Sequence, residues 1–283
     1  MEAYVELLLS WNAKLNLVSA SQASRQQVRC RPGVPFSRRP VGARLLRRRL
    51  PYGAFLTRAL AAQIMTRHVE DALSLLPCIT AALPDPDASV SVVDVGSGAG
   101  FPGMVLAISR PKWRVTLVDS LAKRVSFLED VTARAPVPNA HALWGRAEDV
   151  GRDGALREQF DVAVARAVAE LRCAPSSACR VACHADAQPL PLRNRIASVL
   201  SELCLPLVRV GGVWVAQKGA DPELEVADAK RAVSILGGGA MTVQRVATLG
   251  PDGRPFTAVL CPKLRACGVA YPREAGTPKR LPL

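Results

Sequence analysis

The spacing of apolar residues divides the chain into alternating strands and helices. Short apolar runs bounded by Gly or polar residues predict strands, and longer amphipathic segments predict helices. The predicted elements, in chain order, are a helix at Tyr4–Leu17, a strand at Val90–Val95, a helix at Gly103–Ser109, a strand at Trp113–Asp119, a helix at Ala122–Ala135, strands at Ala140–Trp144 and Phe160–Ala165, a helix at Val199–Val208 and a strand at Val213–Gln217. Gly211 and Gly212 are interpreted as the stop of the last helix. This alternation predicts a doubly wound, mostly parallel α/β sheet.

Two segments, at about 28–63 and about 173–198, break this pattern. Both are rich in Pro and neither has a sustained hydrophobic period. The first overlaps the stretch from Arg25 to Arg58, which contains ten Arg and no acidic residue. Both are therefore predicted to be poorly ordered insertions. The first interrupts a helical region over residues 1–85, and the second interrupts a larger α/β domain over residues 86–283.

The net charge of +13 in 283 residues is concentrated in the insertions. The stretch from Arg25 to Arg58 contributes ten positive charges and the second insertion a net two, so the rest of the chain is nearly neutral. Basicity alone therefore does not establish RNA binding, because an Arg-rich segment fits a solvated run as well as an RNA-contacting arm.

The sequence contains no run of eighteen apolar residues, so no membrane span is expected. The start of the chain has no signal-peptide pattern, which indicates a cytoplasmic protein, or a plastid protein if a transit peptide precedes it.

Cysteine spacing predicts neither disulfides nor a metal site. The chain has eight Cys, and the densest group is Cys173, Cys179, Cys183 and His184. Zinc sites usually place two ligands within two to four residues of each other, and this group fits that pattern poorly. We therefore predict no bound metal.

The strongest chemical signal is the glycine-rich loop after the first strand, with Gly96, Gly98, Gly100 and Gly103. Glycines let the backbone turn sharply and approach a ligand, and the following helix directs free N–H groups at the same place. Asp119 closes the second strand, where a carboxylate accepts hydrogen bonds from a ribose or caps the strand end. The loop fits S-adenosylmethionine and also NAD, because the dinucleotide pattern is satisfied by the same residues.

Two further positions fall at the ends of later strands. Gly145–Glu148 follows the third strand, where an adenine edge is expected to lie against backbone amides and a polar side chain. Arg166 follows the fourth strand, at the edge where open α/β sheets bind ligands. A buried Arg there needs an anionic or carbonyl partner.

Eight short motifs occur in a specific order along the chain. They are Trp11-Asn12 with Asn16, Arg67-His68 with Asp71, Val95–Gly103, Leu117–Leu128, Gly145–Glu148, Ala165-Arg166-Ala167, Lys218-Gly219 and Tyr271–Pro278. In order and spacing they resemble the glucose-inhibited division protein B family, the N7-guanine methyltransferases of small-subunit ribosomal RNA. The resemblance covers the chain apart from the two insertions, and Ala165 stands where the family usually has Ser.

This resemblance implies a fold, a cofactor, a partner and a set of functional residues. It implies a seven-stranded, Rossmann-like methyltransferase sheet with an N-terminal helical cap, S-adenosylmethionine as cofactor, and ribosomal RNA or a ribosomal particle as the partner of a monomer. The implied cofactor-binding residues are Gly96, Ser97, Gly98, Gly100, Phe101, Asp119, Ala147, Glu148 and Arg166. The implied catalytic residues are Arg166 and Lys218, and the implied RNA-facing residues are Arg67, His68, Lys123 and Arg124.

Several alternatives remain open on the sequence. His68 fits a packing histidine, and Lys123 with Arg124 fits a solvated helix start. The whole chain fits an NAD-dependent oxidoreductase, or an RNA-binding assembly factor that has lost turnover. The position of the second insertion, after the fourth strand, leads to the hypothesis that methyl transfer by this chain is impaired.

Overall fold

The computed structural model describes residues 1–15, 64–135, 137–166, 196–249 and 253–283. The predictions for the first insertion, for residues 173–195 of the second, and for the Cys173–His184 group lie outside these ranges. For Arg67 the structure describes the backbone but not the side chain.

Nine α-helices occur in the described ranges. They are α1 Glu2–Leu15, α2 Glu70–Leu73, α3 Leu76–Ala81, α4 Gly103–Ser109, α5 Ala122–Arg134, α6 Ala147–Val150, α7 Ile196–Cys204, α8 Glu223–Ile235 and α9 Thr277–Arg280. A π-helical turn, Met65–Val69, leads directly into α2. None of the helices in these ranges has the length and apolar character that crossing a bilayer requires.

Seven strands form one sheet, in the order β3-β2-β1-β4-β5-β7-β6. They are β1 Ser91–Val95, β2 Arg114–Asp119, β3 Ala140–Trp144, β4 Phe160–Arg166, β5 Val208–Lys218, β6 Thr242–Leu249 and β7 Pro255–Pro262. The first five are parallel, and β7 lies antiparallel between β5 and β6. This confirms the predicted doubly wound, mostly parallel, seven-stranded sheet.

Apolar side chains on the two faces of the sheet form two separate cores. Val92, Leu117 and Val164 pack against α1 and the helices from α2 to α5. Residues one position away, such as Val93 and Ala165, pack against α7 and α8. Because side chains alternate between the faces of a strand, the residues at the strand ends also alternate between the two sides.

The N-terminal helix belongs to the first of these cores. Tyr4 and Leu8 of α1 are completely buried against it. The Nε1 of Trp11 donates a 2.9 Å hydrogen bond to Asp130 of α5. The predicted N-terminal helical cap is therefore packed directly on the sheet domain.

The region between β4 and β5 corrects one prediction. The helix predicted at Val199–Val208 runs instead from Ile196 to Cys204, and β5 already begins at Val208. Gly211 and Gly212 consequently lie inside β5 and do not stop the helix. A Cβ on Gly212 would lie 2.5 Å from the carbonyl oxygen of Asp161, so this glycine allows the close approach of β4 and β5.

Candidate cofactor-binding site

The glycine-rich loop turns sharply between β1 and α4. The N–H groups of Gly96 and Ser97 both donate to the carbonyl of Val118 on β2, at 2.8 and 3.0 Å. Gly98 and Gly100 have φ angles of +59° and +93°, which side-chain-bearing residues rarely adopt. A Cβ on Gly98 would meet only the Gly96 carbonyl oxygen within 4 Å, so the backbone there borders open space. The loop therefore offers bare main chain to a ligand.

Asp119 lies at the same edge of the sheet and contacts this loop. Its Oδ2 accepts a 2.9 Å hydrogen bond from the N–H of Gly98 and contacts Nη1 of Arg124 at 3.3 Å. Its Oδ1 accepts from the N–H of Leu121 at 2.9 Å. A carboxylate oxygen accepts two hydrogen bonds, so Oδ1 retains one acceptor position for a ribose hydroxyl. The loop and the carboxylate thus converge at one place, as a ribose-containing ligand requires.

Asp94, near the end of β1, is a buried residue that stabilises the loop and was not predicted as a site residue. Its Oδ2 accepts a 2.8 Å hydrogen bond from the N–H of Gly103, the first residue of α4. Burial raises the pKa of this carboxyl from 3.8 to about 7, and the Gly103 hydrogen bond and the charge of Arg166 oppose the shift. The sequence carried a signal for this role, since Asp94 stands two residues before Gly96, the first glycine of the loop.

Arg166 ends β4 and lies against Phe101 of the loop. Its guanidinium carbon is 5.0 Å from the centre of the Phe101 ring, and Nη2 is 3.3 Å from Nδ1 of His68. Burial lowers the pKa of Arg166, and the nearby carboxylates of Asp71 and Asp94 oppose that change. Arginine keeps its charge through such shifts, so the site contains a fixed positive charge.

His68 packs against both Phe101 and Arg166. Its imidazole is 5.2 Å from the Phe101 ring, and its backbone carbonyl is 3.5 Å from Nη1 of Arg166. The structure therefore places His68 in contact with both Phe101 of the loop and Arg166, which are predicted cofactor-binding residues. The prediction that His68 faces RNA is not tested by this placement.

Two buried oxygens near Arg166 have no hydrogen-bond partner among the described residues. They are Oδ1 of Asp94 and Oε1 of Gln217, which is the register partner of Arg166 on β5. A ligand that carries both an ammonium and a carboxylate suits this surrounding, because oxygens accept from the ammonium and Arg166 pairs with the carboxylate. The methionine end of S-adenosylmethionine has these two groups, so the residues present fit that cofactor.

The segment predicted to face adenine forms the short helix α6. Ala147 is partly exposed, whereas Glu148 is buried and its Oε1 accepts a 2.8 Å hydrogen bond from the N–H of Gly276. The same oxygen lies 3.4 Å from Nη2 of Arg146. The carboxylate of Glu148 thus binds the C-terminal segment. The backbone of α6 is then the part of this helix that remains for the predicted adenine site.

The C-terminal segment is held by charged side chains. Arg273 donates to both carboxylate oxygens of the fully buried Glu202, at 2.8 and 2.6 Å. Arg157 donates to the carbonyls of Cys267 and Tyr271, at 2.8 and 2.6 Å. These bonds fix the segment that carries Gly276 against α6 and α7.

The remaining predicted residues lie away from the Arg166 side chain. Lys218 is one residue beyond Gln217, so it faces the other side of the sheet, where its Nζ pairs with Glu225 of α8 at 2.6 Å. The structure therefore does not bring Lys218 and Arg166 together. Ser97 directs its hydroxyl inward, to the carbonyl of Asp94 at 2.9 Å, so only its backbone is available to a ligand. Lys123 is exposed on α5.

Metal binding has no support in the described ranges. No group of three or more His, Cys, Asp or Glu side chains there could hold a metal ion.

The fold and this site define an α/β protein with a methyltransferase-type sheet that presents a glycine-rich loop at the ends of β1 and β2. The family described as GidB, rRNA small subunit methyltransferase G, matches residues 56–181. Proteins named ribosomal RNA small subunit methyltransferase G are similar over longer stretches. The one from Lactobacillus helveticus is 37% identical over 221 residues, which cover 78% of this chain and 80% of that protein. The one from Alkaliphilus metalliredigens is 30% identical over 280 residues, 99% of this chain and 88% of that protein. The chain belongs to the ribosomal RNA small subunit methyltransferase G family.

Proposed function

We propose that this protein transfers a methyl group from S-adenosylmethionine to N7 of a guanine in small-subunit ribosomal RNA. The observation that carries the proposal is the convergence of the glycine-rich loop, Asp119 and Arg166 at one edge of the sheet. Family membership favours a methyl donor over NAD at a loop whose glycines alone fit either cofactor. The RNA substrate follows from the names of the relatives, and the N7 position from the family resemblance.

The residues of the site have separate tasks in this proposal. The backbone of Gly96, Gly98 and Gly100 and the ring of Phe101 border the cofactor. Asp119 accepts hydrogen bonds from its ribose, and Arg166 pairs with its carboxylate. When bound, S-adenosylmethionine supplies an electrophilic methyl group on a sulfonium.

Methyl transfer to N7 makes few chemical demands on the protein. The N7 lone pair of guanine is free at neutral pH, so no general base has to remove a proton. Alignment and electrostatic support of the reacting groups then supply the catalysis. Arg166 provides a fixed positive charge at the site, and Lys218 remains a predicted catalytic residue whose ion pair with Glu225 would have to open to reach RNA.

RNA contacts are proposed at the edge next to the cofactor site. Arg67, His68, Lys123 and Arg124 are the candidates, and among their described side chains Lys123 is exposed and Arg124 is about half exposed. The proposal includes a monomer that acts on free ribosomal RNA or on a ribosomal particle, in the cytoplasm or in a plastid. Sedimentation of the full chain and cell fractionation test these two points.

The central experiment supplies the purified full chain with labelled S-adenosylmethionine and small-subunit ribosomal RNA, free or in particles. Mass mapping of the RNA is expected to find one methylated guanine, with the methyl on N7. Calorimetric titration is expected to show binding of S-adenosylmethionine and none of NAD. Binding of NAD alone, or salt-dependent RNA binding without methyl transfer by wild type and by the insertion-deleted chain, would overturn the proposal.

A variant of Arg166 tests the cofactor site within this experiment. Arg166→Lys keeps the charge but loses the planar fork that pairs with a carboxylate. The affinity for S-adenosylmethionine is expected to fall on the order of tenfold, the value of one lost charge-assisted hydrogen bond. Arg134→Lys, on the exposed side of α5, is the matched control and is expected to leave that affinity unchanged.

The impairment hypothesis is tested by excision. A chain without residues 28–63 and 173–195 is expected to transfer methyl groups faster than the full chain. The second boundary stops at residue 195 because α7 begins at Ile196. Equal rates would remove the hypothesis and leave the proposed activity intact.

A further inference from the structure

Trp144 ends β3 with 67% of its surface exposed. It is the only aromatic residue among the large hydrophobic residues that are exposed in the described ranges. Leu121, also exposed, follows directly after Ser120, the residue whose carbonyl the Trp144 ring contacts. Core packing does not account for a tryptophan in this position, because most of its surface contacts no other part of the described chain.

The indole ring is held in one orientation despite its exposure. Its Nε1 donates a 3.2 Å hydrogen bond to the carbonyl of Ser120. The adjoining backbone is fixed as well, since the N–H of Gly145 donates to the carbonyl of Asp119 at 3.2 Å. With its N–H already used, the ring offers a flat face for stacking. A ring that is oriented in advance loses little conformational entropy when it binds.

The charged surface around the ring is positive. Arg124 and Arg146 pair with Asp119 and Glu148, but both carboxylates are buried while about half of each guanidinium side chain is exposed. Lys123 adds an exposed cation in the first turn of α5. The exposed acid nearest to Trp144 in the sequence is Asp149, on α6. Exposed cations beside an aromatic face match a single-stranded nucleic acid, in which bases alternate with phosphates.

We infer that Trp144 stacks on an unpaired base of the substrate RNA, with Lys123 against the neighbouring phosphate. The Cα of Trp144 is the register partner of that of Asp119, so this base binds beside the ribose end of the proposed cofactor site. The inference rests on the proposed function and adds to it a contact that holds the RNA strand. Stacking tolerates any base, so the site contributes affinity and position more than sequence specificity.

The test compares Trp144→Ala and Trp144→Phe in the full chain. The probe is a fluorescent single-stranded fragment of small-subunit ribosomal RNA, titrated by anisotropy at one fixed salt concentration. Trp144→Ala is expected to weaken RNA binding on the order of tenfold, and Trp144→Phe to retain most of it, because a phenyl ring still stacks. The affinity for S-adenosylmethionine is expected to stay the same in both variants.

Leu249→Ala is the matched control. Leu249 is 62% exposed at the end of β6, on the opposite edge of the sheet from β3, so its loss is expected to leave RNA binding unchanged. Lys123→Gln supplies a second readout, because removing one phosphate contact lowers the slope of log affinity against log salt by about 0.7.

The outcomes separate this inference from the proposed function. Equal RNA affinity of wild type and Trp144→Ala overturns the inference alone. Weaker binding of S-adenosylmethionine with unchanged RNA binding also overturns it, and assigns the ring to the adenine of the cofactor. If wild type binds no ribosomal RNA, the inference and the proposed RNA substrate both fail.

Discussion

The hydroxyl of Tyr4, in the first helix, donates a 2.6 Å hydrogen bond to the carbonyl of Ala99, at the tip of the glycine-rich loop. The Tyr4 ring also lies 5.6 Å from the ring of Phe101. Both contacts are buried, and they join residues about 95 positions apart. The N-terminal helix therefore fixes the shape of the loop that is proposed to bind the cofactor.

Tyr4→Phe removes the hydrogen bond and keeps the ring. The Ala99 carbonyl then lacks its partner and the loop is less well fixed, so the dissociation constant for S-adenosylmethionine is expected to rise about two- to tenfold. Calorimetry measures it. Trp11→Phe is the control, because it removes the hydrogen bond from α1 to Asp130, away from the loop. If both variants bind the cofactor equally well, Tyr4 does not position the loop.

Asp94→Asn is expected to change how stability depends on pH. The pKa of Asp94 is raised to about 7 in the folded protein, against 3.8 for the ordinary carboxyl. Between these values Asp94 is protonated in the folded state and ionised in the unfolded state. The free energy of unfolding therefore falls as pH rises through this range. The slope is about 1.4 kcal/mol per pH unit, and it disappears above pH 7.

Urea unfolding of wild type and Asp94→Asn between pH 4 and pH 8, without cofactor, measures the difference. The wild type is expected to lose stability relative to the variant up to about pH 7, where the difference levels off. A difference that stays constant over this range contradicts a raised pKa.

Gly103→Ala is expected to destabilise the protein. The added Cβ would lie 2.4 Å from Cδ2 of Leu117 and 2.7 Å from the carboxylate of Asp94, both in the core. Overpacking of this kind costs about 1–3 kcal/mol. Gly154→Ala is the control, because its Cβ meets nothing within 4 Å. Thermal melting compares the two, and similar melting temperatures would contradict the close packing of α4 on β1 and β2.

Arg273→Ala is expected to cost about 3 kcal/mol of folding free energy, because it removes the guanidinium that pairs with the buried carboxylate of Glu202 and leaves it only the hydrogen bond from the backbone N–H of residue 273. The control is Arg134→Ala, which removes an exposed ion pair with Asp130 that contributes about 0–1 kcal/mol. Denaturant unfolding measures both. Equal costs would show that the C-terminal segment is not held through Glu202.

The sequence predicted the core-facing elements as far as β5, but none after Gln217, although α8 and β7 also bury apolar residues. It was least reliable where an apolar run crosses a boundary. Strands β1 to β4 match their predictions to within one residue at each end. From Cys204 to Val208 the chain is continuously apolar apart from Pro206, so the pattern did not show that the helix ends and the strand begins there. Strand β6 is mostly exposed, which leaves little hydrophobic period to detect.

Within the site, the sequence indicated residues that follow strands and not those that arrive from distant elements. The loop, Asp119 and Arg166 could be placed together because the ends of parallel strands share an edge. The contacts of Tyr4 with Ala99, of Glu148 with Gly276 and of Lys218 with Glu225 depend on how helices pack on the sheet. No local pattern records that packing, so the roles of these side chains required the structure.

The carboxylate of Glu148 accepts a hydrogen bond from the N–H of Gly276, and this changes how substitutions in α6 should be interpreted. If α6 borders the adenosine, as predicted, a substitution of Glu148 that weakens cofactor binding would act by releasing the C-terminal segment that carries Gly276. The contribution of Ala147 to the predicted adenine site would then be its main chain, which a substitution such as Ala147→Ser keeps.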